Sequence, residues 1–193
     1  MHYLTRRINR LIKRPILALS GTAMLLACLA THAQAPAIQP TPAAPPAKPC
    51  ESEEYRQFDF WLGQWDVYLS NGKTAGASVV QSFADGCALL ENWSGTGGFT
   101  GKSINIYDIT DKKWHQSWVD NSGSRLSLEG GYVDGKMVLW TDAPNPNKAG
   151  AVLRQQITWS KNTDGSVRQL WQTSEDAGNT WSTAFDGKYV RRK

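Results

Sequence analysis

What most constrains this chain is the placement of its turns. From Gly63 onward, Asn71-Gly72, Asp85-Gly86, Gly95-Thr96-Gly97-Gly98, Asn121-Ser122-Gly123, Asp134-Gly135, Asp164-Gly165 and Asp176-Ala177-Gly178 recur at the spacing of an all-β meander. Each supplies the positive-φ positions a hairpin needs, because Gly, Asn and Asp enter the left-handed region at least cost. Pro144-Asn145-Pro146-Asn147 makes a looser loop. The runs between turns alternate with the two-residue period of a strand: Trp65-Val67-Leu69, Leu126-Leu128, Met137-Leu139, Ile157-Trp159 and Val167-Gln169-Trp171. The pattern predicts about ten strands, a number that can close on itself and abolish sheet edges. The expected fold is therefore all-β, a single up-and-down antiparallel β-barrel. Only Ser52 to Leu62 reads as helix, with Ser52 at the N-cap and Glu53-Glu54 in the first turn.

The formal charge of +4 misleads until the chain is divided. Arg6, Arg7, Arg10, Lys13 and Arg14 precede the apolar run Ile16 to Ala30, a charged n-region followed by an h-region of secretory length. Residues 1–33 are accordingly expected to be a signal peptide. Five of the 21 basic residues and none of the 17 acidic ones lie there, which leaves 16 bases against 17 acids and removes the case for a nucleic-acid partner. Two processing sites compete. Met24-Leu25-Leu26-Ala27-Cys28 resembles a bacterial lipobox, in which Cys28 would be lipidated and tether the protein to the outer membrane; Thr31-His32-Ala33 resembles an ordinary cleavage site. Either one implies export, to the periplasm or beyond. Residues 34–49 are rich in Ala and Pro, a composition that stays extended and acts as a spacer. Residues 50–193 then form one domain, long enough for a single core.

Cys50 and Cys87 are the cysteines of that domain. An isolated pair in an exported protein is expected to be a disulfide, with two buried thiols as the alternative.

Phe58-Asp59-Phe60-Trp61-Leu62-Gly63-Gln64-Trp65-Asp66-Val67 sits where the helix meets the first strand. Its Gly63-Gln64-Trp65 resembles the G-x-W signature of lipocalins and their calycin relatives. The resemblance implies that Trp65 closes one end of the barrel and that an arginine of the last strand, Arg191 or Arg192, stacks on its ring. The longer pattern, with GCALLENW, SINIYD, KWHQSWVD, DGSVRQLWQTSEDAG and FDGKYVRR, is similar to a bacterial family of exported proteins of uncharacterised function, and the likeness spans nearly all of residues 50–193. It implies a calycin-like barrel and no particular activity. Ser174 to Trp181 also matches the S-x-D-x-G-x-T-W Asp-box of sialidase propellers. One copy cannot build a propeller, so Asp176, Gly178 and Trp181 are expected to shape a hairpin.

Candidates for chemistry lie on the middle strands. Trp114, Gln116, Trp118 and Asp120 share one face, and His115, Ser117 and Val119 the other. If the tryptophans point inward, Gln116 and Asp120 are buried polar groups that need partners. Together with Glu91, Trp93, Asn105 and Tyr107 they would line an aromatic cavity carrying a few fixed hydrogen-bonding groups, the usual composition of a small-molecule site. The competing reading is an internal polar network with no ligand. His115, the one histidine after residue 49, is the sole candidate haem ligand, and its face opposes that role. No cofactor is expected. No His, Cys or carboxylate cluster at ligand spacing suggests a metal, and no serine lies in G-x-S-x-G. The nine tryptophans fit either core packing or a stacking surface. The leading expectation is an exported, non-enzymatic barrel for a small hydrophobic or amphipathic molecule. An enzyme using Glu91 or Asp120 as general acid or base is the first alternative. An envelope protein-interaction module is the second.

Overall fold

The computed structural model describes residues 50–193. The expected signal peptide with Cys28, the cut after Ala33 and the Ala/Pro-rich spacer lie outside the described residues. One helical turn, α1 (Glu53–Arg56), and a 3-10 turn (Asp59–Trp61) lead into ten strands: β1 (Gly63–Leu69), β2 (Thr74–Phe83), β3 (Ala88–Gly95), β4 (Thr100–Asp108), β5 (Lys113–Asp120), β6 (Arg125–Val133), β7 (Lys136–Pro144), β8 (Val152–Lys161), β9 (Val167–Ser174) and β10 (Ser182–Arg191). Each strand pairs antiparallel with its neighbours in sequence, and β1 pairs with β10, so the sheet is a closed up-and-down barrel. The alternation of the sequence is the inside-outside alternation of the wall: Trp65 and Val67, Met137 and Leu139, and Ile157 and Trp159 are all buried.

Ser52 to Leu62 is not the continuous helix its composition suggests. The helical turn stops at Arg56, Ser52 makes no side-chain cap, and the chain kinks at Phe58 (φ −105°, ψ 3°) before the 3-10 turn. Four residues cannot hold a helix by propensity, so tertiary packing decides the path. The kink lets both Phe58 and Trp61 enter the barrel, where neither is exposed to solvent. Their rings stack at 5.0 Å, and Phe58 meets Trp114 and Trp159 edge-on at 5.6 and 5.2 Å. This aromatic plug fills one end of the barrel.

The seam between β1 and β10 lies beside the plug. Trp65 is opposite Arg191, whose guanidinium sits 4.4 Å over the indole, while the indole Nε1 donates to the Trp61 carbonyl at 2.9 Å. Arg192 instead pairs with Asp66 at 2.7 Å. Gly63 is required here on two counts: its φ is +140°, and a Cβ would lie 2.3 Å from the Arg191 guanidinium. A disulfide joins Cys50 to Cys87, with Cα atoms 4.9 Å apart, and ties the residue ahead of α1 to the start of β3. Arg56 donates to the Gly86 carbonyl next to it.

The opposite end is less complete. β6 pairs with β7 only from Glu129–Trp140 to Val133–Lys136, so Arg125–Leu128 and Thr141–Pro144 have no ladder between them. A depression of about 310 Å³ lined by Ser127, Leu128, Trp140 and Thr141 occupies that gap. At the same end, the β9–β10 turn is the Asp-box. Asp176 accepts from the Thr180 amide at 2.8 Å and the Thr180 hydroxyl at 2.7 Å, and Ser174 Oγ accepts from the Gly178 amide at 2.8 Å. Gly178 has φ +96° and lies against the Trp181 ring. The motif is a hairpin brace in this fold.

The disulfide closes a sequence separation of 37 residues. Reducing it, or replacing both cysteines by alanine, is expected to cost about 4 kcal/mol of unfolding free energy in the chain-entropy view. Urea denaturation with and without reductant checks this, and an unchanged midpoint would show that the plug holds without the staple.

Candidate functional site: the open end of the barrel

The register of β3, β4 and β5 decides which side chains meet inside. Glu91 stands opposite Ser103, Asn105 opposite Gln116, and Gly101 opposite Asp120. Trp114 and Gln116 are buried, which fixes the tryptophan face of β5 as the inner one. His115 is on the outside, bonded to Asp111 at 2.8 Å and away from any interior ligand.

Above the plug the interior opens into a cavity of about 390 Å³. Its walls are Trp93, Phe99, Trp118, Trp171 and Phe185, its deeper polar groups are Glu91, Gln116, Gln169 and Tyr189, and its lining also includes Asp120 and Leu126. Glycines in mid-strand make room for the rings. A Cβ on Gly101 would lie 2.3 Å from the Trp118 ring, and one on Gly76 would meet the Ser94 carbonyl at 2.4 Å and the Trp93 ring at 3.0 Å. Trp93 in turn meets Phe185 edge-on at 6.2 Å, and Phe99 lies 6.4 Å from Trp118. The Trp171 Nε1 is buried without a hydrogen-bond partner among the described residues.

Beside the cavity runs a directed chain of hydrogen bonds. Gln116 Nε2 donates to Asn105 Oδ1 at 2.8 Å, Asn105 Nδ2 to Ser103 Oγ at 3.0 Å, and Ser103 Oγ to Glu91 Oε2 at 3.0 Å. Ser78 Oγ donates to the other carboxylate oxygen at 3.0 Å. Glu91 is 4 % exposed. Burial pushes its carboxyl up to about 7, against the opposing pull of the Ser103 and Ser78 hydroxyls. The Tyr189 phenol is driven well above its ordinary value by burial and then by the charge of Glu91; it donates to Gln169 Oε1 at 2.5 Å.

Of the seven residues proposed from sequence to bind a ligand, Glu91, Trp93, Gln116, Trp118 and Asp120 come together on the cavity wall. Asn105 and Tyr107 do not. Asn105 is fully buried behind the wall as a link in the hydrogen-bond chain. Tyr107 lies at the plugged end, edge-on to Tyr55 at 5.4 Å, because two further residues along an inward face of β4 carry it past the cavity floor. Asp120 is half-buried and accepts from Trp118 Nε1 at 2.9 Å. The Ser122 hydroxyl, followed by that indole, holds its carboxyl below the usual range. It is a carboxylate at the rim of the cavity.

Alternation did not single out Ser78, Ser103, Gln169 or Tyr189, although each occupies an inward position of its strand. One grouping escaped it entirely. The β4–β5 turn brings ligand atoms of Asp108, Asp111 and His115 within 4.8 Å of one another. Asp111 is taken by His115, and Asp108 accepts from the Thr110 amide at 2.7 Å, so the trio serves the turn. Compared with known proteins, the chain matches no family model and no curated protein.

Ionising Glu91 in the folded state is uphill, and the sign of the effect on stability follows. Between its ordinary value of 4.5 and about 7 the unfolded chain has released the proton and the folded chain has kept it. Stability therefore falls as pH rises through that window, by up to about 3 kcal/mol, and levels off above it. Urea midpoints from about pH 5 to pH 8 are expected to decline for the native sequence and to stay flatter for Glu91→Gln.

Proposed function

We propose that this protein is an exported, non-enzymatic barrel that binds a small hydrophobic or amphipathic molecule at the open end. The observation that carries the reading is the asymmetry of the interior: one end is packed solid with rings, and the other holds a cavity of about 390 Å³ with aromatic walls and a few fixed polar groups. The signal-like N-terminal sequence and the Cys50–Cys87 disulfide support export. The outer face gives the interaction-module alternative little support, since exposed Ile104, Ile106 and Val119 stand among Lys102, His115 and Ser117.

Catalysis by Glu91 has one observation in its favour, a carboxyl poised near neutral pH. Against it, both carboxylate oxygens of Glu91 are already engaged by the Ser78 and Ser103 hydroxyls, and Ser103 is held in turn by Asn105.

Binding is expected to appear as a change in tryptophan emission when a hydrophobic fluorophore is titrated in, with one site per chain. Leu126→Trp places a large ring on the cavity wall and is expected to weaken that binding at least about tenfold, a loss of about 1.4 kcal/mol, while leaving the thermal midpoint within a few degrees. Native mass spectrometry that finds no co-purified molecule, joined to an unchanged titration in Leu126→Trp, would remove the reading.

A further inference from the structure

We propose that the cavity takes an organic cation: a protonated amine or quaternary ammonium group carried on a hydrophobic body. The inference rests on the small-molecule reading and narrows it to a ligand class.

Charge makes the first selection. The lining contains two carboxylates, Glu91 at depth and Asp120 at the rim, and no Lys, Arg or His. An anionic ligand would meet negative charge at both levels with no counter-charge, in a site where low polarity strengthens the repulsion. A cation meets attraction at the mouth and again at depth.

Hydrogen-bond direction makes the second. Every link from Gln116 through Asn105 and Ser103 donates toward Glu91, and Ser78 donates from the other side. The carboxylate is the final acceptor of the chain, a placement that stabilises negative charge at one point of the interior. Two hydroxyl donors leave acceptor capacity on its oxygens. The titratable groups that share the cavity with it are Tyr189 on β10, whose hydroxyl is already given to Gln169, and Asp120 on β5, so the wall supplies no partner of opposite charge.

The rings make the third. Trp93, Phe99, Trp118, Trp171 and Phe185 surround the space between the two carboxylates. Aromatic faces attract cations through their quadrupole, with Trp the strongest. Trp118 directs its N–H to Asp120, so the polar edge of this lining ring is satisfied by the rim carboxylate.

The test uses the purified protein and three probes with a decyl tail: decyltrimethylammonium, decanol and undecanoate, followed by tryptophan fluorescence and calorimetry. At about pH 8 the ammonium is expected to bind about tenfold tighter than the alcohol, with undecanoate weakest. Near pH 5 the ammonium advantage should shrink as Glu91 takes up its proton. Glu91→Gln is expected to cut the preference severalfold, leaving only what Asp120 and the rings supply, while still binding decanol, which also reports that the variant is folded. Decanol or undecanoate binding as tightly as the ammonium to the native protein would overturn the cation inference and leave the binding-barrel reading standing. A preference that persists undiminished in Glu91→Gln would overturn the role of the buried carboxylate. Failure of all three probes to bind would overturn both readings.

Discussion

Pairing of the first strand with the last is the constraint on which the rest of the molecule depends. The β1–β10 ladder sets Trp65 opposite Arg191, and with it the wall has no free edge and every residue of every strand has a side. The stacked guanidinium covers the outer end of the plug, and the glycine at Gly63 exists to let it lie there. A slip of one residue at this seam would turn Trp65 and Val67 outward and carry charged Asp66 into the core.

Filling one end with Phe58, Trp61, Trp114 and Trp159 has a consequence for the other. A small barrel has limited interior volume, and these rings consume the plugged half of it. The next layer up is polar, built from Ser78, Ser103, Asn105, Gln116 and Glu91. Polar side chains in a core need hydrogen-bond partners, and the directed chain to Glu91 gives each of these five at least one. Beyond that layer the rings lie against glycines and leave the center empty, so the cavity starts where the hydrogen-bonded layer ends.

The fold was legible in the sequence to a large extent because turns and two-residue alternation are local signals. Asp134-Gly135 and Asp164-Gly165 each mark a turn between paired strands, and the inward identity of Trp114 and Gln116 follows from parity once either is known to be buried. What local pattern cannot carry is depth along a strand. Tyr107 and Asn105 have the same parity as Ser103, yet only register against β3 and β5 shows that one lies at the plug and another behind the cavity wall. The 3-10 turn at Asp59–Trp61 was hidden for a related reason: it is selected by the contacts of Phe58 and Trp61 with Trp159, residues about a hundred positions apart in the chain. Ser78 acquires its role only through Glu91, so it carries no signal of its own.

Glu91 is the place where structural and functional demands on this interior diverge. A barrel that needed only to be filled would place a leucine or valine there, since an apolar group of similar volume avoids the desolvation that pushes the carboxyl up to about 7. The surrounding hydroxyls and amides reduce that cost without removing it, and four further residues are committed to doing so. Lys188, next to Tyr189 in the chain, pairs with Asp164 at the surface, and Arg191 and Arg192 are held at the plugged end by Trp65 and Asp66. A buried acid kept without a partner of opposite charge, on the wall of an aromatic cavity, destabilises the empty barrel whenever it ionises. A ligand that brings a positive charge to that wall relieves the penalty on binding, which couples occupancy of the cavity to the stability of the fold.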